Sequence, residues 1–256
     1  MPLLEIKGLG INFGGLRAVN RFSMTIEAGE IVGLIGPNGA GKTTVFNMIS
    51  GYFRPTDGTI VFKGRSIVGL KPHQIARLGI SRTFQNIRLF RDNSVLDNVR
   101  VAFHFRAGYT LIDALLRTRR FREREEEINE RAFEILEALN ISDKAYMPVK
   151  NLPYGDQRRV EIARALAAGP ELLLLDEPAA GMNPSEVQQL VELIRYVKER
   201  FGLTVLLIEH QMGLVMNLCE RLVVMDFGEV IAEGLPHEVR QNPRVLEAYL
   251  GKGAVA

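Results

Sequence analysis

Tryptophan is absent from the 256 residues of this chain, and cysteine occurs once, as Cys219. A lone cysteine has no partner for a disulfide within the chain, which excludes a disulfide-stapled fold and indicates a reducing compartment. The net charge is only +2, so charge gives no argument for a nucleic-acid partner, and none is expected. The sequence also lacks a secretion signal and any apolar run of the ~20 residues needed to cross a bilayer. We therefore expect a protein that is soluble when isolated, with any membrane role supplied by a partner.

Hydrophobic residues make up 46% of the chain, which together with its length predicts a single α/β domain with a sizeable core. Continuous apolar runs at 31–35, 172–175 and 205–208 predict parallel strands that are buried on both faces. Alternating patterns predict a small antiparallel sheet early in the chain and two strands late in it. These further strands are expected at 4–8, 22–27, 59–62, 221–225 and 229–232.

The middle of the chain, 95–139, has a helical pattern. Ala132, Ile135, Leu136 and Leu139 recur at i, i+3, i+4 and i+7 and form an apolar stripe. Within this region, residues 117–127 carry five arginines followed by three glutamates. Because the acids follow so closely, we interpret this stretch as a solvated helix face with an Arg122–Glu126 pair rather than as a docking surface for lipid headgroups.

A glycine-rich loop follows the run at 31–35 and predicts a phosphate-binding site. Its residues are Gly36, Pro37, Asn38, Gly39, Ala40, Gly41, Lys42 and Thr43, with Thr44 next in the predicted helix. Glycines let consecutive backbone N–H groups turn towards one anion, and Lys42 adds a positive charge. The Thr43 hydroxyl is a predicted ligand of Mg²⁺.

Two adjacent carboxylates end the predicted strand at 172–175. We expect Asp176 to reach the Mg²⁺ shell and Glu177 to deprotonate a water in line with the γ-phosphate. A strand that merely ends in solvated charge is the alternative, and the phosphate loop argues against it. His210 follows the strand at 205–208, so it should meet these acids at the carboxyl edge of the sheet.

Residues 151–167 read NLPYGDQRRVEIARALA, and this run resembles the signature loop and following helix of ABC-transporter ATPases. The resemblance spans nearly the whole chain. It implies that Phe13 stacks on adenine, that Gln85 is the Q-loop residue and a further Mg²⁺ ligand, and that His210 is the switch histidine. It also implies that Leu152, Gly155 and Asp156 contact ATP bound to a second cassette.

The runs Thr83-Phe84-Gln85 and 154–159 are similar to the branched-chain amino-acid importer subfamily. The fold implied is a P-loop NTPase (RecA-like) α/β core with a mostly parallel sheet, an N-terminal antiparallel β subdomain and an inserted helical subdomain. As boundaries we expect a core at 1–90 and 150–235, a helical subdomain at 91–149 and a C-terminal tail at 236–256.

The same resemblance implies the partners and the location of the chain. ATP and Mg²⁺ are the expected cofactors. The expected partners are integral-membrane permease subunits, a second cassette in a homodimer or paralogous heterodimer, and a periplasmic or extracellular binding protein. The chain is then a peripheral protein at the cytoplasmic face of the inner or plasma membrane.

Two positions depart from the family pattern. Pro153 stands where the signature has serine, and proline offers neither a hydroxyl nor an N–H to an opposing phosphate. Asn183 stands where the family usually has aspartate. Both changes predict unequal ATP sites in a heterodimer.

Three other functions remain open at this point. The first is an ATPase of another ABC system, such as lipid extraction or export, because cargo is bound by other subunits. The second is a soluble ABC ATPase acting on ribosomes or nucleic acid, although such a protein normally has two cassettes or long coiled-coil insertions. The third is a small-molecule kinase, which would lack the signature loop.

Overall fold

The structure is a computed structural model that describes residues 1–106 and 108–250. The chain divides into two compact units, one formed by Met1–Arg82 together with the chain from Glu171 onward, and the other by Thr83–Pro170. All strands found in the described residues belong to the first unit. They are β1 (Leu4–Phe13), β2 (Leu16–Ile26), β3 (Ile31–Ile35), β4 (Asp57–Phe62), β5 (Arg65–Ser66), β6 (Ile80–Arg82), β7 (Leu172–Asp176), β8 (Thr204–Ile208), β9 (Arg221–Asp226) and β10 (Glu229–Gly234).

The α-helices are distributed over both units. Those of the first unit are α1 (Lys42–Ile49), α2 (Pro72–Leu78), α7 (Pro184–Phe201), α8 (Met212–Leu218), α9 (Pro236–Gln241) and α10 (Pro243–Leu250). Those of the second unit are α3 (Val95–Arg100), α4 (Leu111–Leu115), α5 (Arg119–Ala138) and α6 (Tyr154–Ala167). None of the helices in the described parts of the chain is both long and apolar enough to span a membrane.

The larger sheet of the first unit has six strands in the order β10-β9-β3-β8-β7-β6. Its central strands pair in parallel, and β10 pairs antiparallel with β9 at one edge. Every residue of β3, β7 and β8 is buried, as expected for parallel strands covered on both faces. The predictions at 31–35, 172–175 and 205–208 are therefore confirmed.

The smaller sheet is antiparallel, in the order β2-β1-β4-β5. Its strands are longer than their alternating patterns predict. In β1, Gly8 has φ +58° and the pairing with β2 shifts register between Ile6 and Leu9. Such a bulge interrupts the period-two pattern without ending the strand, which explains why the predicted strand stops at residue 8.

In the helical unit, the predicted apolar stripe lies on α5 and on Leu139, the residue that caps its C-terminus. Ala132, Ile135, Leu136 and Leu139 are all buried. The region is not continuous, since a 3₁₀ helix at Val101–Arg106 and the short α4 precede α5. The helical unit also includes α6, whereas the sequence-based division assigned residues 150–235 to the core.

Candidate functional site

The phosphate loop leaves β3 and enters α1, as predicted. Gly36 has φ +148°, and a Cβ at this position would lie 2.0 Å from the Met225 carbonyl oxygen. Gly41, the N-cap of α1, has φ +100°, and its Cβ would lie 2.8 Å from the Ala18 carbonyl oxygen. At both positions the left-handed backbone and the close approach require glycine.

Lys42 is almost fully buried at the start of α1. Its Nζ donates to the carbonyl oxygens of Gly36 and Pro37 at 2.7 and 2.8 Å. Burial lowers the pKa of Lys42, and the nearby carboxylates of Glu177 and Asp176 oppose that shift. The loop therefore holds a desolvated cation that carbonyls and acids stabilise, and such a group favours an added anion.

A cavity of about 290 Å³ lies over this loop. It is lined by Leu16, Arg17, Ala18, Asn38, Gly39, Ala40, Gly41, Lys42, Thr43, Thr44, Glu177 and Phe227. Seven of these are phosphate-loop residues that the sequence predicts. The sequence analysis gave no site role to Leu16, Arg17, Ala18 or Phe227, which come from β2 and the β9–β10 turn.

Phe13, predicted to stack on adenine, lies at the end of β1. Its ring meets the Phe53 ring edge to face, with centroids 5.2 Å apart, and 43% of the residue is exposed. Phe13 does not line the cavity over the loop. Its contact with adenine stays a prediction.

The carboxyl edge of the larger sheet places Asp176 beside Arg82. Asp176 ends β7, and its Oδ2 accepts a hydrogen bond from Arg82 Nη2 at 2.8 Å in a pair that is almost completely buried. Arg82 also donates to Asn47 Oδ1 of α1, at 2.7 Å. The Asp176 side chain is thus fixed by partners from β6 and, indirectly, from α1.

Glu177 and His210 approach each other at this same edge. Glu177 Oε1 lies 3.7 Å from His210 Nδ1. The backbone of Glu177 has φ +45°, and its N–H donates to the Ile208 carbonyl at 3.0 Å. The structure therefore brings together two residues predicted from segments 33 positions apart, with Glu177 also lining the cavity.

Glu209 supports this arrangement, although sequence reasoning gave it no role. Its fully buried carboxylate accepts backbone N–H groups from Ala179 at 2.9 Å, His210 at 3.0 Å and Gln211 at 3.3 Å. A carboxylate with three such donors connects the backbone that follows β7 to the backbone that follows β8. Its position directly after a buried strand was the available signal.

The signature segment lies in the helical unit. Leu152 is buried, Pro153 is the N-cap of α6, and Gly155 and Asp156 fall in its first turn. The first backbone N–H groups of a helix have no partner within the helix. This end of α6 can therefore bind an anion even though Pro153 supplies no hydroxyl.

Gln85 is tied to α6 by a buried ion pair. Arg158 and Glu161 lie 2.7 Å apart, with side chains 0% and 1% exposed. Arg158 donates to the carbonyl oxygens of Phe84 and Gln85 at 2.8 and 3.1 Å, while Glu161 accepts from the Phe84 N–H at 3.1 Å. These contacts fix the backbone of the predicted Q-loop to the helix that begins at the signature.

Asn183 caps α7. Its Oδ1 accepts from the N–H groups of Ser185 and Glu186 at 3.0 Å each, and Glu186 Oε2 accepts from the Asn183 N–H at 2.8 Å. Asparagine and aspartate are about equally good at this position. The departure at Asn183 therefore preserves the helix start.

Tyr249 of α10 also reaches the phosphate loop. Burial raises the pKa of Tyr249, and a hydrogen bond with the Gly36 backbone opposes that shift. The predicted tail is helical at 236–249 but is divided into α9 and α10, because Pro243 cannot continue the preceding helix.

Taken together, the first unit has a glycine-rich anion cradle, a buried lysine, and two carboxylates and a histidine at one edge of the sheet. That set can bind a polyphosphate and activate water beside it. Comparison with known proteins agrees with this chemistry. Residues 19–180 match the model of the ABC transporter family, and residues 229–255 match that of the branched-chain amino acid ATP-binding cassette transporter family.

Two curated relatives are similar over their full length. The chain is 49% identical to the high-affinity branched-chain amino acid transport ATP-binding protein LivG of Salmonella typhimurium, over 98% of each chain. It is 46% identical to the corresponding protein BraF of Pseudomonas aeruginosa, again over 98% of each.

Solved structures give the same result. An ATP-binding cassette of an ABC transporter in its ADP conformation superposes with a TM-score of 0.85 at 32% identity, covering 98% of this chain and 100% of that one. A dimeric cassette in a post-hydrolysis state, bound to ADP and Pi, gives a TM-score of 0.76 at 25% identity, covering 91% and 98%. The chain therefore belongs to the ABC transporter family, as one of its ATP-binding cassettes.

Proposed function

We propose that this cassette hydrolyses ATP to power the import of branched-chain amino acids by a membrane transporter. The observation that carries the catalytic part is the position of Glu177, which lines the cavity over the phosphate loop and lies 3.7 Å from His210. The cargo rests on the full-length similarity to LivG and BraF.

In this proposal the loop N–H groups and Lys42 bind the β- and γ-phosphates of ATP. Lys42 exchanges its carbonyl partners for phosphate oxygens, which restores the charge stabilisation that burial removes. Glu177 accepts a proton from the attacking water, and His210 positions the γ-phosphate and Glu177 relative to one another. The product ADP then remains on the loop after phosphate departs.

The residues also fit a Mg²⁺ ion. Asp176 provides a buried carboxylate and Thr43 a hydroxyl at the start of α1, and Mg²⁺ prefers such oxygen ligands. That Gln85 is a further ligand stays a prediction. When bound, the ion would neutralise phosphate charge and leave the remaining steps to the protein side chains.

The functional unit in this proposal is a dimer of cassettes, either with a second copy or with a paralogous chain. Leu152, Gly155 and Asp156 would then contact ATP held on the partner's phosphate loop, and Phe13 would stack on adenine. The dimer would work at the cytoplasmic face of the membrane with permease subunits and a binding protein outside. ATP-dependent closure, reversed by hydrolysis, would drive the transport cycle.

The first test compares wild type with Glu177→Gln in ATPase and size-exclusion measurements with ATP and Mg²⁺. We expect hydrolysis in the wild type only, and an ATP-bound dimer retained by the variant. The matched control is Glu171→Gln, because Glu171 is an exposed acid of the same unit that pairs with Lys63. An unchanged rate in Glu177→Gln would overturn the catalytic assignment.

The second test concerns the cargo. Deletion of the gene for this chain should lower cellular uptake of radiolabelled leucine, isoleucine and valine, and wild type but not Glu177→Gln should restore it. Normal uptake of all three amino acids in the deletion strain would contradict the proposed cargo and leave the ATPase assignment intact.

A further inference from the structure

The short helix α4 presents its apolar side to solvent. Leu111, Ile112, Leu115 and Leu116 are 90%, 68%, 83% and 69% exposed. At 100° per residue, these positions cover an arc of about 140° on one side of the helix. Soluble proteins seldom expose such a contiguous apolar patch unless it binds something.

The other side of α4 is less exposed. Asp113 and Ala114 are half-buried, and Asp113 accepts hydrogen bonds from the Thr110 N–H at 2.9 Å and from the Thr118 hydroxyl at 3.1 Å. The hydrogen bonds with Thr110 are the main cause of a lowered pKa at Asp113. The one acid of this helix is therefore held by the capping box of α4 and by Thr118, so it does not interrupt the exposed apolar side.

Exposed arginines follow this apolar side in the sequence. Residues 111–122 contain four arginines, Arg117, Arg119, Arg120 and Arg122, and one acid, which gives a net charge of +3. The expected Arg122–Glu126 pair does not form. Within the described part of the chain, neither Arg117 nor Arg122 has an ion pair, and the glutamates that follow pair instead with Arg100, Arg119, Arg124 and Arg131.

We propose that this patch, formed by Leu111, Ile112, Leu115, Leu116 and the four arginines, docks on the anionic lipid surface of a membrane. Apolar side chains of one helical face beside basic residues, of which Arg117 and Arg122 have no ion pair in the described part of the chain, are the pattern of an interfacial helix. The apolar residues enter the boundary between headgroups and acyl chains, and the arginines bind lipid phosphates.

Lipid fits this patch better than a protein does. A stable protein interface buries about 800 Å² on each partner, and one turn of helix is small beside that area. Anionic headgroups, by contrast, supply negative charge wherever the arginines lie. The proposal takes up the lipid-docking alternative for 117–127, which the sequence-based interpretation set aside in favour of a solvated face, and adds to it the outward apolar side of α4.

The test is flotation of the full chain with protein-free vesicles of phosphatidylcholine, with or without an equal part of phosphatidylglycerol. We expect binding to the anionic vesicles that weakens at high salt. The double variants Leu111→Ser/Leu115→Ser and Arg117→Asn/Arg122→Gln should each lower the partition coefficient by about tenfold or more.

Two controls match these variants. Tyr146→Ser removes another exposed apolar side chain of the helical unit, and Arg54→Gln/Arg65→Gln removes the same charge from exposed positions elsewhere. Both should bind as wild type does, and all variants should melt at the wild-type temperature because the changes are on the surface.

Equal binding to neutral and anionic vesicles would overturn the proposal, as would wild-type binding by both patch variants. Absence of binding to the protein-free anionic vesicles would also overturn it, and binding to vesicles that carry permease subunits would then assign the patch to a protein partner. Because no ATP and no permease are needed, a positive result would stand even if the proposed transport function failed.

Discussion

Arg158 and Glu161 form a fully buried ion pair, one helical turn apart in α6, and both bind the backbone of Phe84. Burial raises the pKa of Glu161, and Arg158 is the first factor that opposes the shift. The pair costs free energy to desolvate, and each charge depends on the other. The connection between the predicted Q-loop and the signature helix therefore depends on both charges being present.

Replacing Arg158 by methionine should destabilise the protein by about 3 kcal/mol at pH 7.5, because it leaves the Glu161 carboxylate buried without its cation. The pKa of Glu161 in the folded state would rise further above its unfolded value. Stability would then be retained below the unfolded pKa and lost as pH rises through the folded pKa. Urea unfolding at pH 5.5 and 7.5 should show a smaller loss at the lower pH.

The control for this experiment is Arg119→Met, which breaks the exposed pair with Glu123 and should change stability by less than about 1 kcal/mol at either pH. A second variant, Arg158→Met/Glu161→Leu, should recover most of the lost stability and abolish its dependence on pH. A loss in Arg158→Met that is independent of pH would contradict this account.

Glu209→Gln should lower ATPase activity about tenfold or more and change ATP affinity little. Glutamine keeps the size of the side chain but weakens acceptance of the N–H groups of Ala179, His210 and Gln211, and such charged hydrogen bonds contribute about 1.5–3 kcal/mol each. The phosphate loop is not touched by this change. Steady-state kinetics and titration with a fluorescent ATP analogue would separate the two effects, with the exposed Glu220→Gln as control.

Asn183→Ala should lower the free energy of unfolding by about 1 kcal/mol, because the N–H groups of Ser185 and Glu186 lose their acceptor. Asn183→Asp should leave it nearly unchanged. Thermal unfolding would measure both. If Asn183→Asp alters ATP-dependent dimerisation without altering stability, the residue acts between cassettes as well as in the cap.

Cys219 should resist modification in the folded protein. Burial, the main cause, raises the pKa of its thiol to about 12, so the reactive thiolate is scarce at pH 8. We expect no reaction with Ellman's reagent in buffer and complete reaction in guanidinium chloride. Rapid labelling of the native protein would show that the region around α8 opens readily.

Much of the fold could be predicted because the relevant signals are contiguous. The central strands are short apolar runs, and the phosphate loop and Asp176-Glu177 are unbroken motifs that follow them. Glu209 and the Arg158–Glu161 pair could not be assigned, because Glu209 also binds Ala179 and the pair binds Phe84, and these partners are far away in sequence. The outward apolar side of α4 was not predicted, because apolar residues at helical spacing normally indicate a buried face.

The register between β7 and β8 pairs Asp176 with Ile208. The residue that follows each strand is an acid, Glu177 after β7 and Glu209 after β8. His210 comes directly after Glu209. Residues level with each other on neighbouring strands would point to the same face of the sheet. Glu177 has left the extended conformation, with φ +45°, and it lines the cavity, whereas Glu209 is fully buried. Exchanging Glu209 and His210 would keep the composition and destroy the site. The order of the two residues is a structural requirement in its own right.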